Sequence, residues 1–142
     1  MYKRIVLAYD GYSYSSAALV QGMELAKLCK AELHLLGIVV TTGSWGLAQA
    51  ESSIDVWGSE QQYLQQALDT ATQDLVSQSI NVIGSIRRGD PGIEIAAYAH
   101  QIKADLVVLG HSEKGIIMRW FDGSVGIELL ENLPCSLLIA TS

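Results

Sequence analysis

The sequence predicts an α/β domain: an open, mostly parallel five-stranded sheet with helices on both faces. Three observations predict it. Short, continuous apolar runs recur along the chain, as strands covered on both faces require. Segments with apolar residues at helical spacing separate those runs. Glycines and small polar residues gather just after the runs, at what become the carboxyl ends of the strands.

The elements follow in order. Ile5-Val6-Leu7-Ala8 is the first strand. From Ser15 to Cys29, the residues Ala18, Gly22, Leu25, Ala26 and Cys29 form one helical stripe. Leu33 to Val40 is the second strand. A loose segment, Thr41 to Gly58, carries Trp45 and Trp57, and Ser59 has the chemistry of a helix cap. Beyond it Leu64, Ala67, Leu68, Ala71 and Leu75 repeat at helical spacing. Asn81 to Ile86 alternates as a strand does, and Pro91 suits the first turn of a third helix reaching Ile102. Leu106 to Leu109 is a fourth strand and Ser124 to Glu131 a fourth helix. Pro134 ends that region before the last strand, Ser136 to Ala140. The pattern is β-α-β-α-β-α-β-α-β without repeats or linkers, so residues 1–142 are expected to form one domain.

Composition narrows the function. Hydrophobic residues make up 49% of the 142 and charged ones 17%, which excludes a disordered chain and supplies a core without disulfides. The formal net charge of −6 disfavours nucleic acid and anionic membranes as partners, and no basic run offsets it. No apolar stretch approaches the length of a membrane span, and the first one ends at Asp10, too soon for a signal-peptide core. A cytoplasmic protein is expected. Cys29 and Cys135 lack a Cys-x-x-Cys spacing and read as two reduced thiols. His34, His100 and His111 have no metal-ligand spacing; the first two read as structural or surface residues.

In an open parallel sheet, ligands bind outside the carboxyl ends of the strands, where strand order reverses. Asp10-Gly11 follows the first strand, Gly89-Asp90-Pro91 the third, and Gly110-His111-Ser112-Glu113-Lys114-Gly115 the fourth. Gly123-Ser124 then opens a helix, where free N–H groups and the positive end of the dipole suit a phosphate. On these residues alone, Gly110 reads equally as a tight turn, Ser124 as an N-cap, and Asp10 as a turn or capping aspartate. Several enzyme classes drop out. The Gly110–Gly115 run has one residue too many for a Gly-x-Ser-x-Gly nucleophile elbow, and no histidine follows His111. Neither a P-loop nor a Gly-x-Gly-x-x-Gly fingerprint occurs.

Taken together, Ile5 through Ser13, Gly89-Asp90-Pro91, Gly110 through Glu113, Gly123-Ser124-Val125 and Asn132 through Ile139 resemble the universal stress protein family over essentially the whole chain. The resemblance implies a Rossmann-like sheet in the order 3-2-1-4-5, which brings Asp10 and Gly110 to one crevice. It implies ATP or a related adenine nucleotide as ligand, in a regulatory module and not an enzyme with robust turnover. Asp10 would then face the ribose or a phosphate-bound Mg. Ile38 and Val39 would offer backbone groups to the adenine. Gly110, Ser112, Gly123, Ser124 and Val125 would hold the phosphates. The family's ATP-binding motif is Gly, two residues, Gly, nine residues, then Gly with Ser or Thr. Gly110 and Gly123-Ser124 match it at the right separation, while Glu113 replaces the second glycine. That departure leaves an alternative: an interaction protein of the same fold without nucleotide. The resemblance also implies a homodimer through the C-terminal strand.

Overall fold

The computed structural model describes residues 1–9, 17–40, 56–111 and 125–141. They form strands β1 (Arg4–Tyr9), β2 (Glu32–Val40), β3 (Val82–Gly89), β4 (Leu106–His111) and β5 (Ser136–Thr141). Helices α1 (Ala17–Cys29), α2 (Val56–Ser77), α3 (Pro91–Ile102) and α4 (Val125–Asn132) connect them. All four ladders are parallel and the order is β3-β2-β1-β4-β5, as expected.

The pleat explains why the central strands are apolar throughout. Successive side chains of a strand point to opposite faces, and here both faces are covered. Ile5, Leu7 and Tyr9 of β1 belong to a cluster with Ala18, Leu19 and Ala26 of α1 and Leu64, Leu68, Ala71 and Leu75 of α2. Val6 and Ala8 belong to the opposite cluster, with Ile95, Ala96 and Ala99 of α3 and Leu129 of α4.

Most boundaries fall within two residues of expectation, and two differ by three. Helix α2 starts at Val56, so Ser59 lies inside it and is not its cap, and Trp57 belongs to the helix instead of the preceding loose segment. Strand β3 continues past Ile86 to Gly89, because Arg87 and Arg88 keep their register with Ile38 and Val39 of β2. The β3–α3 corner follows directly. Gly89 has φ +145°, which side chains disfavour. The Asp90 carboxylate caps the helix by accepting from the N–H of Ile93 at 3.1 Å, and Pro91 takes the first turn.

At the amino end of the sheet, Asp105 joins two strands. Its Oδ2 accepts from the N–H groups of Lys3 (2.7 Å) and Arg4 (2.9 Å), while its own N–H donates to Arg4 O at 2.8 Å. The hydrogen bonds from Arg4 and Lys3 hold this carboxyl below its usual range. A carboxyl with a lowered folded pKa stabilises the fold above its unfolded value, and that contribution fades as pH falls through the folded value. Asp105→Asn is expected to cost about 1 kcal/mol at neutral pH, a figure reduced for solvent exposure, and nothing below the folded pKa. Denaturant midpoints of the parent and variant at neutral and acid pH check this; a gap that persists in acid would contradict the charge's role.

Cys29 and Cys135 are unpaired thiols, as expected. Burial, with the charge of Asp105 adding to it, pushes the Cys135 thiol up. His100 is a surface residue whose Nε2 bonds the carbonyl of Asn132, linking α3 to α4. None of the described helices is long and apolar enough to cross a membrane.

Candidate functional site

The strand order reverses between β1 and β4, and the ladder there is short. It pairs Ile5 with Leu106, Val6 with Val107 and Leu7 with Val108. On either side the ladders run further: β1 follows β2 up to Tyr9 and Gly37, and β4 follows β5 up to His111 and Thr141. The carboxyl ends of β1 and β4 therefore diverge. Ala8 and Tyr9 flank one side of the opening, and Leu109, Gly110 and His111 the other. A crevice at a reversal of this kind is where open α/β sheets take their ligands.

Gly110 has a definite place at this opening. It lies within β4, in register with Ala140, so the tight-turn reading does not hold. A Cβ added there would sit 3.2 Å from Cβ of Ala18, in the first turn of α1. The missing side chain lets the start of α1 approach the far wall of the crevice. Helix starts carry unpaired N–H groups and a partial positive charge, which would favour an anion placed beside the first turn of α1. Ala18 fell on the expected helical stripe; its second role depends on a contact that sequence spacing does not reveal.

The packing role of Gly110 can be separated from a ligand role. Gly110→Ala is expected to lower stability by roughly 1 kcal/mol through the tight contact with Ala18, and Ala18→Gly in the same chain is expected to relieve it. Thermal unfolding of the two single variants and the double variant measures the coupling. Additive losses would show that the two positions do not press on each other.

Ile38 is 3% exposed and Val39 fully buried, on opposite faces of β2. Their side chains are core, so whatever they offer a ligand is backbone near the end of the strand. Val125 begins α4. Asp10, Ser112, Gly123 and Ser124 lie outside the described residues, as do Glu113, Lys114, Gly115 and Arg119. Among the expected site residues, the structure thus brings Gly110 to the crevice beside β1 and places Ile38 and Val39 one strand further on. Gly89-Asp90-Pro91 serves as a corner, with the Asp90 carboxylate bonded within it. Among the described residues, no group of three or more His, Cys, Asp or Glu side chains could hold a metal ion.

Comparison with known proteins agrees with this architecture. The profile of the universal stress protein family matches residues 1–141. A universal stress protein of Methanocaldococcus jannaschii is 29% identical over 143 residues, covering 98% of this chain and 82% of the relative. A Staphylococcus aureus protein named for the same family is 26% identical, over 97% of this chain and 83% of its own. Among solved structures, universal stress protein UspA from Lactobacillus plantarum superposes with a TM-score of 0.77 at 23% identity, over 98% of this chain and 97% of that one. A universal stress protein from Archaeoglobus fulgidus, solved in complex with dAMP, gives 0.63 at 16% identity, covering 98% of each chain. Another, solved in complex with cAMP, gives 0.66 at 20% identity, over 99% of this chain and 97% of that one.

Proposed function

The chain belongs to the universal stress protein family, and on that premise we propose that it is a cytoplasmic regulatory module whose state is set by ATP or a related adenine nucleotide. The observation that carries this reading is the divergence of β1 and β4 at the reversal of strand order, with Gly110 beside the first turn of α1. Two structural relatives supply the ligand class, since their solved complexes hold cAMP and dAMP. In this reading Asp10 carries the ribose or a phosphate-bound Mg, and the backbone of Ile38 and Val39 meets the adenine edge. Gly110, Ser112, Gly123, Ser124 and Val125 hold the phosphates through N–H and hydroxyl donors. No general base is recognisable beside the phosphate loop in the sequence, so hydrolysis is slow and the ligand acts by binding. Mass spectrometry of what co-purifies, followed by calorimetry with ATP, tests the proposal. Micromolar binding of an adenine nucleotide supports it, and no heat with ATP, AMP or cAMP overturns it.

A second reading rests on one residue. Glu113 stands where the family's ATP-binding motif has glycine, adding a carboxylate near the proposed phosphates and a side chain that resists positive φ. If it excludes nucleotide, the chain is an interaction protein of the same fold, and the same calorimetry distinguishes the two.

The reading includes a homodimer through β5. This strand lies at one end of the sheet order, so one of its edges has no neighbour among the described strands, and natural proteins seldom leave such an edge bare. A groove of about 470 Å³ beside it is lined by Tyr2, Leu25, Leu28, Leu106, Leu137 and Leu138, among others. Leu28 is 81% exposed, and Ile139 is 40% exposed on β5 itself. Two-fold antiparallel pairing of β5 with a second copy closes the edge. Light scattering is expected to give twice the 15.4 kDa of one chain. Ile139→Asp, which sets like charges near the axis, is expected to return it to the single-chain mass. A parent protein that scatters as one chain at micromolar concentration rules the dimer out.

A further inference from the structure

A polar chain crosses the interior away from the crevice. His34 on β2 is 4% exposed. Its Nε2 lies 2.5 Å from Oε1 of Glu32 and its Nδ1 2.7 Å from the hydroxyl of Tyr98 on α3. The Tyr98 hydroxyl is in turn 3.1 Å from Oγ of Ser85 on β3, an edge strand of the sheet. Four side chains from two strands and a helix are thus joined end to end. Among the described residues, the charged groups around this chain are few. Glu32 is on the same strand as His34, and Arg4 of β1 approaches Glu32 with Nε at 4.0 Å. Arg87 of β3 stands 5.3 Å over the Tyr98 ring and donates to Gln101 Oε1 at 2.7 Å.

We propose that this chain carries the protonation of His34 to the Ser85 hydroxyl on β3, by reversing the direction in which the intervening hydrogen bonds donate. An ionised carboxylate only accepts, so with a neutral ring the imidazole proton sits on Nε2 and donates to Glu32. Nδ1 then presents a lone pair. The Tyr98 O–H donates to it, and the Tyr98 oxygen accepts from the Ser85 O–H. Every donor then points the same way along the chain, from Ser85 towards Glu32.

Adding a proton to Nδ1 inverts this arrangement. The new N–H donates to the Tyr98 oxygen, the Tyr98 O–H turns to Ser85 Oγ, and the Ser85 O–H is released towards solvent. No hydrogen bond of the chain is lost, and the charged ring faces Glu32 as an ion pair. Only two hydroxyl rotors and one proton move, so the states interconvert without repacking the core. At β3, beside Arg87, the serine changes from an outward acceptor to an outward donor. A group that accepts a hydrogen bond there therefore favours the arrangement with the protonated ring.

Carbon-13 NMR of the whole protein across the pH range in which it stays folded tests the proposal. The expected result is one common midpoint for His34 Cε1, Tyr98 Cζ and Ser85 Cβ. In Tyr98→Phe, which keeps the ring and removes the link, Ser85 Cβ is expected to lose its titration while His34 keeps one. A His34 ring that stays neutral throughout overturns the proposal. So do separate midpoints in the parent, or a Ser85 signal that still follows His34 in Tyr98→Phe, which would mean that the charge acts through space. The parent titration decides by itself if the variant does not fold.

Discussion

Valine in place of Gly37 is expected to destabilise the fold by about 3 kcal/mol, at the upper end of the usual cost of overpacking a core. Gly37 lies in β2, in register with Tyr9 of β1 and Ile86 of β3, so the backbone has little room to yield. Its missing side chain is where α2 comes down on the sheet. An added Cβ would stand 2.8 Å from Cδ2 of Leu64, 3.0 Å from Cγ and 3.2 Å from Cδ1. All three atoms belong to one side chain that is itself 3% exposed, so the whole leucine must move and not merely its tip. Against a typical total stability of about 5–15 kcal/mol, such a loss is large. Guanidinium denaturation measures it, with the midpoint falling and the slope unchanged. Leu64→Ala in the Gly37→Val background is expected to restore a substantial part, since it vacates the contested volume. If the double variant is no more stable than Gly37→Val, the clash is not with Leu64.

The other large effect is on binding. Gly123→Asp is expected to weaken ATP binding by at least about 100-fold, because a side chain and a negative charge enter the space assigned to phosphates. The Gly110 to Gly123-Ser124 spacing motivates it. The substitution falls outside every described strand and helix, the next of which begins at Val125, and the unfolding temperature is expected to stay close to the parent's. Calorimetry with ATP beside a thermal melt separates the two outcomes. Parent-like affinity in a folded variant would remove this loop from the site, whereas lost affinity with a collapsed melt would point to a structural glycine.

The central strands were legible because they are buried on both faces, which makes them continuous apolar runs such as Ile5 to Ala8. Helix α3 was legible to the residue, since Asp90-Pro91 marks its start. Legibility failed where two signals competed. Ser59 has the chemistry of a cap, yet α2 already includes it, and nothing in Val56-Trp57-Gly58 advertises a first turn. Strand β3 outran its apolar pattern because an edge strand tolerates Arg87 and Arg88. Long-range polar contacts were not legible at all. Glu32 and His34 are two apart, but Tyr98 is 64 positions from His34, and the hydrogen bonds of Asp105 reach back 101 and 102 positions. Of the candidate site, the crevice followed from strand order, whereas the close approach of Ala18 to Gly110 requires the packed helix.

The short ladder between β1 and β4 makes the sheet two panels joined by a narrow hinge. Three residue pairs hold that joint, against six between β1 and β2, eight between β2 and β3 and six between β4 and β5. Helix α1 is laid across it as a splint, touching β1 and β2 on one panel and β4 and β5 on the other. All four ladders are parallel, so the joint with the fewest pairs offers the least resistance to a tilt of one panel against the other. A molecule lodged between the diverging ends would act as a wedge, setting the angle between the panels. Edge strand β5 rides on the panel that turns, so the tilt of that edge would report whether the wedge is in place.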